Sequence, residues 1–213
     1  MARIGLYGGS FDPPHFGHLH VARAAHAELG LDTVRLIPAA APPHKQGRVQ
    51  AAAADRLEMT RRLAACESWL AVDPRELRRG GTSYTFDTLT ELRAEFAGRA
   101  VEFWFLIGAD SLLDLPGWHR AAELVELATF VTVPRAGARL DEARALLHDR
   151  LPAHAERLLC HVLPVEPMPI SSSQVRARCR AGLPIDELVP RTIAEWIAAR
   201  GLYRDESAAA PPS

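Results

Sequence analysis

The chain lacks a GxxxxGK[ST] run and a GxGxxG run. The first absence excludes a P-loop and the second the dinucleotide fingerprint. Only three cysteines occur, Cys66, Cys160 and Cys179, scattered and without CxxC spacing. That excludes a disulfide framework and fits reduced thiols in a cytoplasmic protein. No apolar run is long enough to span a bilayer. The strongest, VEFWFLIG (Val101 to Gly108), is short and contains Glu102. The opening MARIGLYGGS is too short and too glycine-rich for a signal sequence. Charge is balanced, with 25 Lys and Arg against 26 Asp and Glu, a formal net of −1 over 213 residues. Neither a membrane nor a nucleic acid is therefore an expected partner. Any anion site must be local.

What is present is a regular alternation of strand and helix patterns. Short apolar runs predict strands at Arg3–Tyr7, Thr33–Pro38, Trp69–Val72, Val101–Ile107, Phe130–Val133 and Leu158–Val165. Amphipathic stretches predict helices at Leu19–Leu29, Ala51–Cys66, Ser83–Phe96, Trp118–Ala128, Leu140–His148, Ser172–Arg180 and Pro190–Ala199. Pro190 reads as a first-turn proline. The order implies an α/β fold: a doubly wound, Rossmann-like parallel sheet flanked by helices, with C-terminal helices at the strand ends. Residues 1–204 read as a single domain. The tail 205–213 has nothing to bury and reads as disordered.

In such folds ligands sit beyond the C-terminal ends of the strands. The first strand is followed there by GGSFDPPHFGH, Gly8 to His18. Gly8 and Gly9 allow close backbone approach. The helix that follows offers N–H groups and a partial positive charge, a setting for phosphate. Ser10 and Phe11 line the same turn. His15 and His18, three residues apart, can donate hydrogen bonds to a phosphoryl group as it changes partner. On spacing alone the pair could also ligate a metal, although no third ligand is evident and Asp12 precedes a rigid Pro-Pro.

A second segment, ISSSQVRAR, puts Ser171, Ser172 and Ser173 at a helix start, with Arg176 on the same face. Hydroxyls beside a guanidinium suit a polyphosphate. The plain alternative is a serine N-cap with a solvent arginine. TSYTFDTL opens another helix, with Thr82 or Ser83 as its cap. Its N–H groups favour a carboxylate over a neutral amide. Trp118 covers the core or offers a flat face to a cationic ring. Asp110, after the strongest strand, reads on its own as a helix N-cap.

These segments together, GGSFDPPHFGHL, PPHK, TSYTFDTL, IGADSLLDLPGWHR and ISSSQVR, resemble the HxGH nucleotidyltransferase superfamily. Within it the chain is similar to the bacterial nicotinate-nucleotide adenylyltransferases over nearly all of residues 1 to 204. The resemblance implies adenylyl transfer from ATP to nicotinate mononucleotide, giving nicotinate adenine dinucleotide and pyrophosphate, with Mg²⁺ arriving on ATP. It places Gly8, Gly9, Ser10, His15 and His18 at the ATP phosphates, and Gly108 and Asp110 at the adenosine. Ser171, Ser172, Ser173 and Arg176 fall to the β- and γ-phosphates. Of these, His15, His18 and Arg176 are the catalytic set. Ser10, Phe11, His44, Lys45, Ser83, Tyr84, Thr85, Trp118, His119 and Arg135 would hold the second substrate. His44 and Lys45 would lie at its phosphate, Thr85 at the carboxylate and Arg135 on the adenine side. Three positions depart from the family pattern: Ser173 for threonine, Val175 for isoleucine and His119 for the usual tyrosine. Two other readings stay open: a relative acting on nicotinamide mononucleotide or phosphopantetheine, and a nucleotide-binding regulator without catalysis. The sequence leaves the oligomeric state open, a homo-oligomer included.

Overall fold

The computed structural model describes residues 1–41, 50–134 and 140–204. His44, Lys45, Arg135 and the tail 205–213 lie outside them. The chain starts with β1 (Ala2–Gly9), α1 (Phe16–Glu28), β2 (Thr33–Pro38), α2 (Ala53–Ala64) and β3 (Leu70–Val72). Next come α3 (Arg75–Arg79), α4 (Thr85–Glu95), β4 (Val101–Gly108) and α5 (Ala109–Asp114). After a 3₁₀ turn at Leu115–Gly117 follow α6 (Ala121–Leu124), β5 (Thr129–Val133), α7 (Leu140–Arg150) and α8 (Ala155–Leu159). The last two are α9 (Ser172–Arg180) and α10 (Arg191–Ala199).

The five strands form one parallel sheet in the order β3-β2-β1-β4-β5. The doubly wound architecture expected from the alternation is the one observed. Both faces of the sheet are covered, which is why its strands read as nearly continuous apolar runs. On one face Val34, Leu36, Leu106 and Val131 pack with Leu19, Ala22 and Ala25 of α1, Met59 and Leu63 of α2, and Val175 and Ile193. On the other, Ile4, Leu6, Phe103, Phe105, Ile107 and Phe130 meet Leu89 and Leu92 of α4, Leu112, Leu124 and Leu147. The chain winds outward from β1 through β2 to β3, then returns to β4 on the other side of β1. The order therefore reverses between β1 and β4, and a crevice at such a point, beyond the carboxyl ends of the strands, is where ligands bind. The GGSFDPPHFGH loop leaves β1 there and Gly108–Asp110 leaves β4 there. Among the described residues no helix is long and apolar enough to cross a membrane.

Several boundaries differ from the sequence-based expectation. Leu158–Val165 is not a strand. Leu158 is buried within α8, and only Val162 pairs, in a single bridge to Thr132. Pro164, Pro167 and Pro169 lack the N–H that a ladder needs. Trp118–Ala128 is not one helix. Trp118 is extended, with ψ 153°, and Arg120 is left-handed, with φ 54°, so the helix is confined to Ala121–Leu124. Ala121, Leu124, Val125 and Ala128 are nevertheless all buried, as the spacing implied. α1 starts at Phe16 rather than Leu19, so both motif histidines belong to its first turn and cap. Tyr84 is the N-cap of α4, in place of Thr82 or Ser83. Gly108, not Asp110, is the N-cap of α5. Pro190 stands at the N-cap of α10. Of the two last helices, α9 meets the β1 exit loop, whereas α10 packs on α2, its Trp196 lying beneath the Arg62 guanidinium at 4.6 Å.

Candidate functional site

Chain and packing fix the histidine pair. His15 is the N-cap of α1 and His18 its third residue. Their ring centroids are 3.8 Å apart. The His15 backbone N–H donates to Nδ1 of His18 at 3.2 Å. A peptide N–H can only donate, so this Nδ1 carries no proton and the ring proton sits on Nε2. His18 is thereby set up as an Nε2–H donor. His18 also packs against Phe11, with centroids 5.0 Å apart, and Tyr7, at 5.9 Å. Gly17 between the two histidines is required sterically. A Cβ there would lie 2.9 Å from His15 Nδ1 and 3.0 Å from its Cε1. Two first-turn N–H groups are already engaged, Phe16 with Leu188 O and His18 with His15 O, both at 2.9 Å. The imidazoles, more than those peptide groups, are what the helix start presents.

The ISSSQVR segment lies against this loop, although 159 residues separate Pro13 from Ser172. The three serines divide three tasks. Ser171 caps α9 by accepting from Gln174 N–H at 3.2 Å. Ser172 Oγ donates to Pro13 O at 2.8 Å. Ser173 Oγ accepts from Arg176 Nη2 at 3.2 Å. Arg176 Nη1 donates to Asp12 O at 2.7 Å. Its Nε is buried with no hydrogen-bond partner among the described residues. A buried donor without an acceptor is costly and suits an incoming anion.

Beneath the loop lies a polar network that sequence reasoning missed. Asp12 is 2% exposed. Its Oδ1 accepts from Tyr203 OH at 2.8 Å and Ala51 N–H at 3.0 Å, and its Oδ2 from Gln50 N–H at 2.8 Å. Arg56 is 1% exposed. Its Nη1 donates to Ser10 O at 2.8 Å and Ala39 O at 2.7 Å, so it ties the exit of β1 to the exit of β2. Burial lowers the Arg56 pKa, and the Asp12 charge opposes that shift. The one sequence signal was an arginine on the apolar stripe of α2, three residues before Met59 and seven before Leu63.

The β2 exit leads to the TSYT segment. Ala40 N–H donates to Ser83 Oγ at 2.9 Å, and Ser83 N–H to Ala41 O at 3.1 Å. Ser83 also hydrogen-bonds the Glu76 carboxyl, which accepts from Thr88 Oγ1 at 2.7 Å. Burial raises the Glu76 pKa, against those hydrogen bonds and the Arg79 charge. Thr85 is the first residue of α4 and is half-buried. Tyr84, 37% exposed, meets the His119 ring at 4.7 Å between centroids, so TSYT and GWH come together. Trp118 is half-buried on the core, its Nε1 without a partner among the described residues. Gly108 and Asp110 are exposed at the end of β4. Gly8, Gly9 and Ser10 end β1 and enter the loop. The histidines outside the motifs are occupied elsewhere: His26 stacks on Trp69, and His20 pairs with Glu166 O.

Comparison with known proteins places the chain in a family. A sequence profile for cytidylyltransferase-like proteins matches residues 6–178. A relative from Bordetella petrii, named "probable nicotinate-nucleotide adenylyltransferase", is 43% identical over 204 residues, 96% of this chain and 100% of its own. One of the same name from Chromobacterium violaceum is 41% identical over 211 residues, 95% of this chain and 99% of its own. The nicotinic acid mononucleotide adenylyltransferase of Plasmodium falciparum has the same fold, with a TM-score of 0.73 at 19% identity, over 95% of this chain and 98% of its own. The chain belongs to the cytidylyltransferase-like family and, within it, to the nicotinate-nucleotide adenylyltransferases.

Proposed function

We propose that the protein transfers the adenylyl group of ATP to nicotinate mononucleotide, releasing pyrophosphate and forming nicotinate adenine dinucleotide. One observation carries this reading. Arg176 and Ser172, from the far end of the chain, hydrogen-bond the loop that bears His15 and His18. One phosphate site is thereby assembled from two remote motifs.

The attacking atom is an oxygen of the mononucleotide phosphate. The second pKa of a phosphate monoester is about 6, so this nucleophile is already ionised at neutral pH and needs no general base. The protein's work is to align two anions and stabilise the transferring group. His18 Nε2–H and His15 act at the α-phosphate. Ser173 and Arg176 act at the leaving pyrophosphate, with Ser171 and Ser172 shaping the helix start. Gly8, Gly9 and Ser10 give backbone room, and Gly108 and Asp110 take the adenosine. Thr85, with Ser83 and Tyr84, takes the nicotinate carboxylate, and Trp118 faces the pyridinium ring. His119 contributes through its contact with Tyr84. His44 and Lys45 are assigned to the incoming phosphate, and Arg135 to the adenine side, on sequence grounds alone. A divalent ion such as Mg²⁺, bound with ATP, would offset the charge of its phosphates. That fits the donor set, because Asp12 already accepts three hydrogen bonds. The free cysteines Cys66, Cys160 and Cys179 suit the reducing cytoplasm, where we place the enzyme.

The test is pyrophosphate release from ATP with each pyridine mononucleotide in turn. The expected result is turnover with nicotinate mononucleotide and much less with the amide. Preference for nicotinamide mononucleotide, or turnover of phosphopantetheine instead, would overturn the assignment.

A further inference from the structure

Tyr203 stands near the end of the described chain, 191 residues from the carboxylate to which it is bonded. It is 8% exposed and adopts a left-handed backbone, with φ 64°. A non-glycine residue in that region is strained, and such strain persists only where the surroundings enforce it. Its hydroxyl donates to Asp12 Oδ1 at 2.8 Å. Burial and the Asp12 charge push the phenol pKa up, so the proton stays available to be donated.

Asp12 faces two cations. Arg176 Nη1 is 3.8 Å from Oδ2, beyond hydrogen-bond length, and donates instead to the Asp12 carbonyl at 2.7 Å. Arg56 interacts with the same carboxylate electrostatically. Oδ1 is taken by Tyr203 and Ala51, and Oδ2 by Gln50. With three neutral donors already on it, the carboxylate holds Arg176 only in a long ion pair of 3.8 Å and not in a direct hydrogen bond. Arg176 keeps the buried, unpartnered Nε free to donate.

We propose that Tyr203 is a positioning residue for the leaving-pyrophosphate site: its hydroxyl occupies Asp12 and so leaves the Arg176 guanidinium available to a polyphosphate. Without the hydroxyl, Oδ1 loses its strongest neutral donor in a dry site, and the carboxylate turns to the cation beside it. The C-terminal segment thus acts on phosphate affinity without touching substrate. This rests on the adenylyltransferase reading for the identity of the leaving group.

The test is Tyr203→Phe in the full chain, which keeps the ring and removes the donor. Calorimetric titration with inorganic pyrophosphate reads the site independently of turnover. Loss of one such hydrogen bond is expected to weaken pyrophosphate binding and raise the ATP KM about tenfold, with the mononucleotide KM changed by less than about twofold. In an Arg176→Ala background the same change should cost nothing further. Tyr203→His, a ring with an N–H donor, should bind pyrophosphate more tightly than Tyr203→Phe. Unchanged pyrophosphate affinity in Tyr203→Phe would overturn the proposal. So would an equal loss with and without Arg176, or equal affinities for the Phe and His variants. If the wild type turns over no pyridine mononucleotide yet binds pyrophosphate with this dependence, the functional reading fails and the positioning role stands.

Discussion

His18→Ala removes an Nε2–H that the structure has oriented by spending Nδ1 on the His15 backbone. Preorganised donors act where charge develops, and losing one costs about 10²–10³ in kcat. Steady-state assay of this variant should show that loss, with the melting temperature little changed. Near-normal turnover would remove the histidine pair from the mechanism. Gly17→Ala tests the same geometry through space. Its Cβ must displace the His15 ring, and misplacement of about 1 Å costs up to about 10²-fold. A variant with unchanged kcat would show that the ring tolerates the shift. At this scale the motif histidines and Arg176 were legible from residue type and spacing. Arg56 and Asp12 were not. Their signal is burial of charge, and a sequence does not print burial. Asp12 read as a turn residue before Pro-Pro. Only the fold shows it accepting from Gln50, Ala51 and Tyr203 at once.

α3 and α4 hold the TSYT segment through Glu76, a buried carboxyl shared by Ser83 and Thr88. Its pKa is raised above the ordinary 4.5, with burial the largest cause. A raised pKa means that the folded state holds the proton more tightly. The associated stability is present below the ordinary value and is lost as pH rises through the folded one. Wild type should therefore gain melting temperature relative to Glu76→Gln as pH falls from about 7 to about 5. Parallel thermal melts check this, and a pH-independent difference would show that Glu76 titrates normally. α3 escaped sequence reading because five residues, RELRR, give no periodicity. The long strands were legible as continuous apolar runs because both faces of the sheet are covered, and α1, α2 and α4 because each buries one side over several turns. The 158–165 segment was misread because its apolar residues mimic a strand, while α8 takes its start and Pro164, with Pro167 and Pro169 just beyond, breaks the ladder.

Across the whole molecule, the two halves of the site are joined by the C-terminal helix as well as by the sheet. Ile193 is 0% and Ile197 4% exposed in the core under α1 and α2. Arg200 Nε bonds Asp55 Oδ1 at 3.1 Å, and Arg62 Nη1 bonds Thr192 O at 3.0 Å. α10 thus anchors the segment that delivers Tyr203 to Asp12. Ile193→Ala empties part of a close-packed core and should cost about 2–5 kcal/mol. Arg191, with its side chain 88% exposed, pairs among the described residues with Glu195 one turn on, and Arg191→Ala should stay within about 0.5 kcal/mol. Urea unfolding monitored by tryptophan fluorescence measures both. Ile193→Ala should also lower pyrophosphate affinity, because the packing that holds α10, and Tyr203 after it, is weakened. A variant that loses stability while keeping wild-type pyrophosphate affinity would mean that Tyr203 holds its place without the helix behind it.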